Sequence, residues 1–256
     1  MISAKGVALL YVAVLVVTMG YTLFSAQRAL LWAEILAGAV VLFVLAGAWY
    51  SFRLPKVDLS DIAPFNIFAF IAVAVVLALV APQERTLGGY IRLIYIHAAV
   101  TWVGLALFAA SFVAGGANLL IKDKAPAKWA DSLFVNAIFF WAASSFIGTV
   151  AAYLTWGESW YFEPRTRAAF TILVVALIVY VVGPMMESHI MRMSLQTAVP
   201  ALVFLLLALT GKLVHPNNAF LKSDSLEIKL FALIITLVFL GVAAQGVRWN
   251  AARRGL

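Results

Sequence analysis

One short run of aromatic residues and two histidines carry most of the chemistry open to this sequence. The run is Thr155-Trp-Gly-Glu-Ser-Trp-Tyr-Phe-Glu-Pro-Arg-Thr166. Trp156, Trp160, Tyr161 and Phe162 fall within seven residues of it, beside Glu158, Glu163, Arg165 and Arg167, and Gly157 and Pro164 shape its backbone. Trp and Tyr also form belts where helices leave a membrane, but belt residues are spread over several helix ends. Gathered in one loop, they favour a flat apolar ligand or a partner patch. His97 stands in Arg92-Leu-Ile-Tyr-Ile-His97-Ala-Ala-Val-Thr-Trp102, and His215 in Lys212-Leu-Val-His-Pro-Asn-Asn218. Taken singly, His97 reads equally as a ligand or as a hydrogen-bonded packing residue, and His215 as a solvated loop residue. Taken jointly, two neutral imidazoles, an aromatic platform and nearby arginines are what an iron porphyrin needs: two axial nitrogens, stacking for the macrocycle, and cations for two propionates.

The third histidine, in Pro184-Met-Met-Glu-Ser-His189-Ile-Met-Arg-Met193, sits among four methionines. Thioethers select soft metals such as Cu(I), yet Met is also an ordinary apolar filler, and that is the favoured reading here. The chain has no cysteine, which removes disulfides, thiolate metal sites, Cys nucleophiles and haem-attachment motifs together. It contains no HExxH, GxSxG, Walker-type or GxGxxG pattern. The pairs Gly88-Gly89 and Gly115-Gly116 read as a turn and as helix packing.

The elements that must position these residues are membrane helices. The 256 residues are 65% hydrophobic and 11% charged, with a mean hydropathy of +1.03, and a bilayer core of roughly 30 Å needs about 20 apolar residues per span. Eight runs meet that length, near 6–26, 29–50, 64–82, 92–121, 133–154, 167–185, 193–212 and 228–247. The expected fold class is therefore all-α, a polytopic transmembrane bundle. The first run exceeds the apolar core of a signal peptide and reads as a retained helix. Glu34 in the second is expected to snorkel toward the Arg28 end. The net charge of +7 is carried in short clusters between apolar runs, with no basic stripe or tail, so nucleic-acid binding is not expected. Ten Lys and Arg fall on the side of the N-terminus and eight on the other. The compact clusters Lys122 to Lys128 and Arg248 to Arg254 abut helix ends and favour an N-in, C-in topology. Three loops then face outward: Pro82 to Ile91, Thr155 to Thr166, and Lys212 to Glu227. They hold the tryptophan run and His215, and His97 lies a few residues inside that face.

The tryptophan run with its flanking histidines resembles the haem-handling proteins of cytochrome c maturation, whose signature is approximately WGxxWxWDxRxT. Trp156-Gly157 and Trp160 match its opening, Arg165 and Thr166 stand at its close, and Arg92 to His97 is similar to the stretch around the first outward histidine of the CcmC family. The resemblance covers roughly residues 64 to 250. It implies two parts, residues 1–60 with two extra N-terminal helices and residues 61–256 with a six-helix haem-handling core. Phe162 and Glu163 replace the usual Trp and Asp, and Pro164 after the acid is more like the CcsA and CcmF proteins, as are the two extra helices.

The resemblance implies that haem b (iron protoporphyrin IX) is held at the outer face of the cytoplasmic (inner) membrane by His97 and His215, the metal ligands. The ring edge would lie against Trp156, Trp160, Tyr161 and Phe162. Arg85, Arg92, Arg165 and Arg167 are candidate propionate partners by charge and side, and Glu163 would fix the loop through backbone N–H groups or Arg165. A CcmC-like protein would present haem to a chaperone of the CcmE type, in a complex with transporter subunits of the CcmA and CcmB type. A CcsA-like one would be a haem lyase acting on apocytochrome c. The competing class is a membrane transporter or permease subunit, which requires polar or broken helices near the midplane; the third, sixth and eighth runs are almost wholly apolar. A scaffold subunit without ligand is a further alternative.

Overall fold

The computed structural model describes residues 59–121, 124–157, 162–211, 220 and 223–253, with the side chains of 59–65 and 124–126 excepted. The two expected N-terminal helices, and so the division near residue 60, lie outside the described residues. Within them the protein is helical: α1 (Leu59–Val80), α2 (Ile91–Ile121), α3 (Lys124–Trp156), α4 (Pro164–Val182), a short 3-10 turn (Gly183–Met185), α5 (His189–Leu209) and α6 (Leu226–Arg253). The single non-helical pairing among the described residues is an isolated bridge between Glu84 and Gly88.

Five of these helices, α2 to α6, are long and apolar enough to cross a membrane. The remaining one, α1, has 22 residues and a shorter apolar stretch, Asn66–Val80, within the searched part. Hydropathy located these helices but left two of them, α3 and α6, well short of their full length. Apolar character in α3 begins near residue 133, yet the helix starts at Lys124, and α6 continues six residues beyond 247 to Arg253. Backbone hydrogen bonding does not stop where apolar side chains do, and Lys, Arg and Asp tolerate a helical turn in water. Pro126 falls in the first turn of α3, where its missing N–H costs nothing.

The central helix is α2, which packs against α1, α3, α5 and α6, while α4 closes the bundle against α3 and α5. Its spine of Tyr95, Ala99, Val103 and Phe108 is almost wholly buried. Phe108 meets Phe134 and Trp141 of α3 edge-on, with ring centroids 6.3 and 5.9 Å apart, the orientation that the ring quadrupole favours. The outward surface of the helices is as apolar as the core: Phe68, Phe139 and Phe146 are 72%, 69% and 71% exposed. An apolar exterior of this kind is what a hydrocarbon phase would cover.

Two ends of the bundle differ in chemistry. One carries the start of α2, the end of α3 and the start of α4, hence His97, Trp156 and Phe162. The other carries Lys128, Asp131, His189 and Arg192, where Arg192 pairs with Asp131 at 3.5 Å.

Candidate functional site

The site is built around His97, in the second turn of α2. The turn before that helix is organised by Glu84, whose carboxylate accepts hydrogen bonds from the N–H groups of Leu87 (2.9 Å) and Thr86 (2.8 Å) and from Thr86 Oγ1 (3.1 Å). The Leu87 N–H is the largest of the contributions that hold this carboxyl below its ordinary value of 4.5. Gly88 completes the turn at φ 54°, a conformation that side chains disfavour. Tyr95, fully buried, donates its hydroxyl to the Pro82 carbonyl at 3.3 Å, which ties this loop to α2. The same ring stacks on Phe220, centroids 4.7 Å apart and planes 21° from parallel. Phe220 is thereby seated against α2, whereas His215 lies outside the described residues.

His97 faces α3. Its Nδ1 lies 3.1 Å from the carbonyl oxygen of Ser144. A carbonyl can only accept, so Nδ1 bears the proton, and in the neutral imidazole the lone pair then belongs to Nε2. The ring lies directly over Gly148: a Cβ there would stand 2.5 Å from Cε1 and 2.9 Å from Nδ1. Below the ring, Thr101 Oγ1 donates to the His97 carbonyl at 2.7 Å. Its single proton thus spent, Thr101 accepts from the Ser144 hydroxyl, 2.5 Å away. Ser144, Gly148 and Thr101 escaped the sequence reading. A mid-helix carbonyl has no sequence signal, and a glycine four residues after a serine is an ordinary packing pattern.

The tryptophan run divides. Trp156 is the last residue of α3 and Gly157 follows at φ 58°, the left-handed residue that commonly ends a helix. Trp160 and Tyr161 lie outside the described residues. Phe162 is 62% exposed, and Glu163 is completely buried as the residue before α4. The Glu163 carbonyl accepts from the N–H groups of Thr166 (3.1 Å) and Arg167 (3.3 Å), and Pro164 occupies the first helical position, where its fixed φ is already suited to the helix. The α3 and α4 ends are joined lower down by Trp141, whose indole N–H donates to the Ala169 carbonyl at 2.9 Å. Gly148 lies eight residues before Trp156, so the ring of His97 rests about 12 Å deeper than the end of α3.

The arginines also separate by environment. Arg85 and Arg167 are exposed, whereas Arg92 and Arg165 are half-buried, each with an Nε that is inaccessible and without a hydrogen-bond partner. A guanidinium N–H left unpaired in this way is costly unless an acceptor meets it. His189 belongs to the opposite end, where its Nε2 lies 3.2 Å from Asn118 Oδ1. No group of three or more His, Cys, Asp or Glu that could hold a metal ion occurs among the described residues.

No known protein-family model matches the chain, and no curated protein matches it.

Proposed function

We propose that this is an integral membrane haem-handling protein of cytochrome c maturation that binds haem b at the His97 end of the bundle, on the outer face of the cytoplasmic membrane, and presents it to a haem chaperone. The observation that carries this reading is the His97 imidazole, held by Ser144 and Gly148 with its proton on Nδ1 and its lone pair on Nε2. A backbone carbonyl on the far nitrogen is the usual second partner of a metal-ligating histidine. Haem, when bound, would supply an iron with affinity for imidazole nitrogen and a flat apolar ring bearing two carboxylates. The protein's own residues match those demands. His97 and His215 would supply the nitrogens, and Arg92 and Arg165, half-buried at this end of the bundle, would supply the cations for the carboxylates. Trp156, Trp160, Tyr161 and Phe162 supply an apolar edge at the mouth. Glu163, buried ahead of α4, sets where that edge sits.

Pro164 immediately after the acid favours a second reading, a CcsA-type subunit that delivers haem for ligation to apocytochrome c. Both readings use the same residues and differ in the receiving partner.

The test is the visible spectrum of the detergent-purified protein, oxidised and reduced, for wild type, His97→Ala and His215→Ala. A bis-histidyl haem b spectrum that collapses in either variant is expected. A folded wild type that stays colourless after haem addition would sink the proposal and bring forward the transporter class. Mature c-type cytochromes formed in a complemented strain that lacks the chaperone separate the two readings: the chaperone-loading one loses them, and the direct-ligation one keeps them.

A further inference from the structure

The half of the bundle away from His97 contains buried polar groups that internal hydrogen bonds leave over. On α5, Gln196 and Thr197 are 7% and 9% exposed, and neither Gln196 Nε2 nor Thr197 Oγ1 has a hydrogen-bond partner. One turn further along, Pro200 interrupts the helix and has no N–H to return to the Gln196 carbonyl. An amide donor, a hydroxyl and a backbone acceptor are thus gathered at one level of an otherwise apolar helix. Thr197 Oγ1 is directed at Gly115 of α2, where a side chain would not fit. Toward the bundle end, about one turn away, Arg192 has a buried Nε without a partner although its NH2 group pairs with Asp131. Asn118, on α2, pairs with His189 at the same end. Polar groups therefore run from the bundle end to the level of Thr197, about 12 Å along α5.

We propose that water occupies a recess between α2 and α5, held by Gln196 Nε2, Thr197 Oγ1 and the Gln196 carbonyl and continuous with solvent at the Arg192 end. The groups at the Pro200 level are neutral and mix donors with an acceptor, which suits water and not an ion of either sign. Buried waters make about three hydrogen bonds each to groups of this kind. Proline breaks in membrane helices are satisfied by waters or polar neighbours for the same reason. The recess is separate from the His97 site and does not depend on the haem reading.

The chain has no cysteine, so single cysteines report one position each. Full-length Thr197→Cys, Val203→Cys and Met185→Cys would be placed in lipid nanodiscs and treated with N-ethylmaleimide. Met185 is 78% exposed and Val203 1% exposed in apolar surroundings. Alkylation requires thiolate and hence water, so Thr197→Cys is expected within about tenfold of the Met185→Cys rate, and Val203→Cys about a hundredfold slower. Thr197→Cys as protected as Val203→Cys would overturn the proposal. The unaltered protein supplies an independent reading through hydroxyl-radical labelling. Labelling of the α5 peptide at Gln196 or Thr197 is expected above that of the buried Val203, and labelling no greater than at Val203 overturns the proposal equally.

Discussion

Replacing Gly148 with alanine tests how the His97 imidazole is held. The new Cβ would lie 2.5 Å from Cε1, 2.9 Å from Nδ1 and 3.2 Å from Nε2. Carbon atoms settle near 3.5 Å, so the ring must retreat by about 1 Å. A retreat along the Nδ1 to Ser144 direction would stretch that 3.1 Å separation to at most about 4 Å, which weakens or breaks the hydrogen bond. Overpacking of this kind costs about 1–3 kcal/mol. Against it, alanine in a helix interior is about 1 kcal/mol better than glycine, so the net loss in stability is about 0–2 kcal/mol and the variant should fold. If His97 holds the iron of haem as proposed, that bond would have no such tolerance, because a ligand nitrogen displaced by about 1 Å is out of bonding distance and the ring would have lost the carbonyl that sets its tautomer. Gly148→Ala should therefore insert and fold like wild type but give a haem spectrum with one axial imidazole missing, at markedly lower affinity in a haem titration. Gly116→Ala is the control, since nothing lies within 4 Å of a Cβ built there. A Gly148→Ala protein with wild-type spectrum and affinity would show that close packing on Gly148 does not orient the imidazole.

Arg92→Gln and Arg165→Gln should each weaken haem affinity by about 1.5–3 kcal/mol if their unpaired N–H groups meet carboxylates; equal affinity for haem and for its propionate dimethyl ester in wild type would contradict that role. Phe220→Ala removes the stack on Tyr95, worth about 0.5–1.5 kcal/mol beyond area, and protease susceptibility between Lys212 and Lys222 should rise while α2 remains helical. Glu84→Ala should open the turn before α2, read as faster tryptic cleavage at the exposed Arg85. Acid should act in the same direction on the wild type. The native carboxyl is held below 4.5 by the Leu87 and Thr86 bonds, so its contribution is complete above that value and disappears as the pH falls through the lower native one. Amide exchange of Leu87 and Thr86 followed between about pH 3 and 6 would show it, and protection that is flat across that range would refute it.

The length of continuous apolar runs was enough to locate every helix among the described residues, because a hydrocarbon-length run of this composition has no other stable backbone. Helix ends were less legible, as Lys124 and Arg253 show, since polar residues extend a helix without leaving a hydropathy signal. His97 could be singled out as an ionisable residue within a span. Its surroundings could not. The partner of Nδ1 is a main-chain oxygen, which every residue has, and the room for the ring is supplied by an absent side chain at 148. Arg92 and Arg165 differ from Arg85 and Arg167 only through burial, which their charge and position along the chain do not encode. Glu163 is expected from the resemblance to fix the loop through backbone N–H groups or Arg165; its side chain makes no capping bond to α4 and is fully buried, which its place in the chain does not encode.

The indole of Trp141 has a mechanical consequence for the two helices it joins. Its N–H donates to the Ala169 carbonyl at 2.9 Å, and a main-chain acceptor has a fixed height on its helix. Sliding α4 along α3 by a single residue would carry that carbonyl about 1.5 Å and break the bond. The register between these two helices is therefore set by one hydrogen bond in addition to packing.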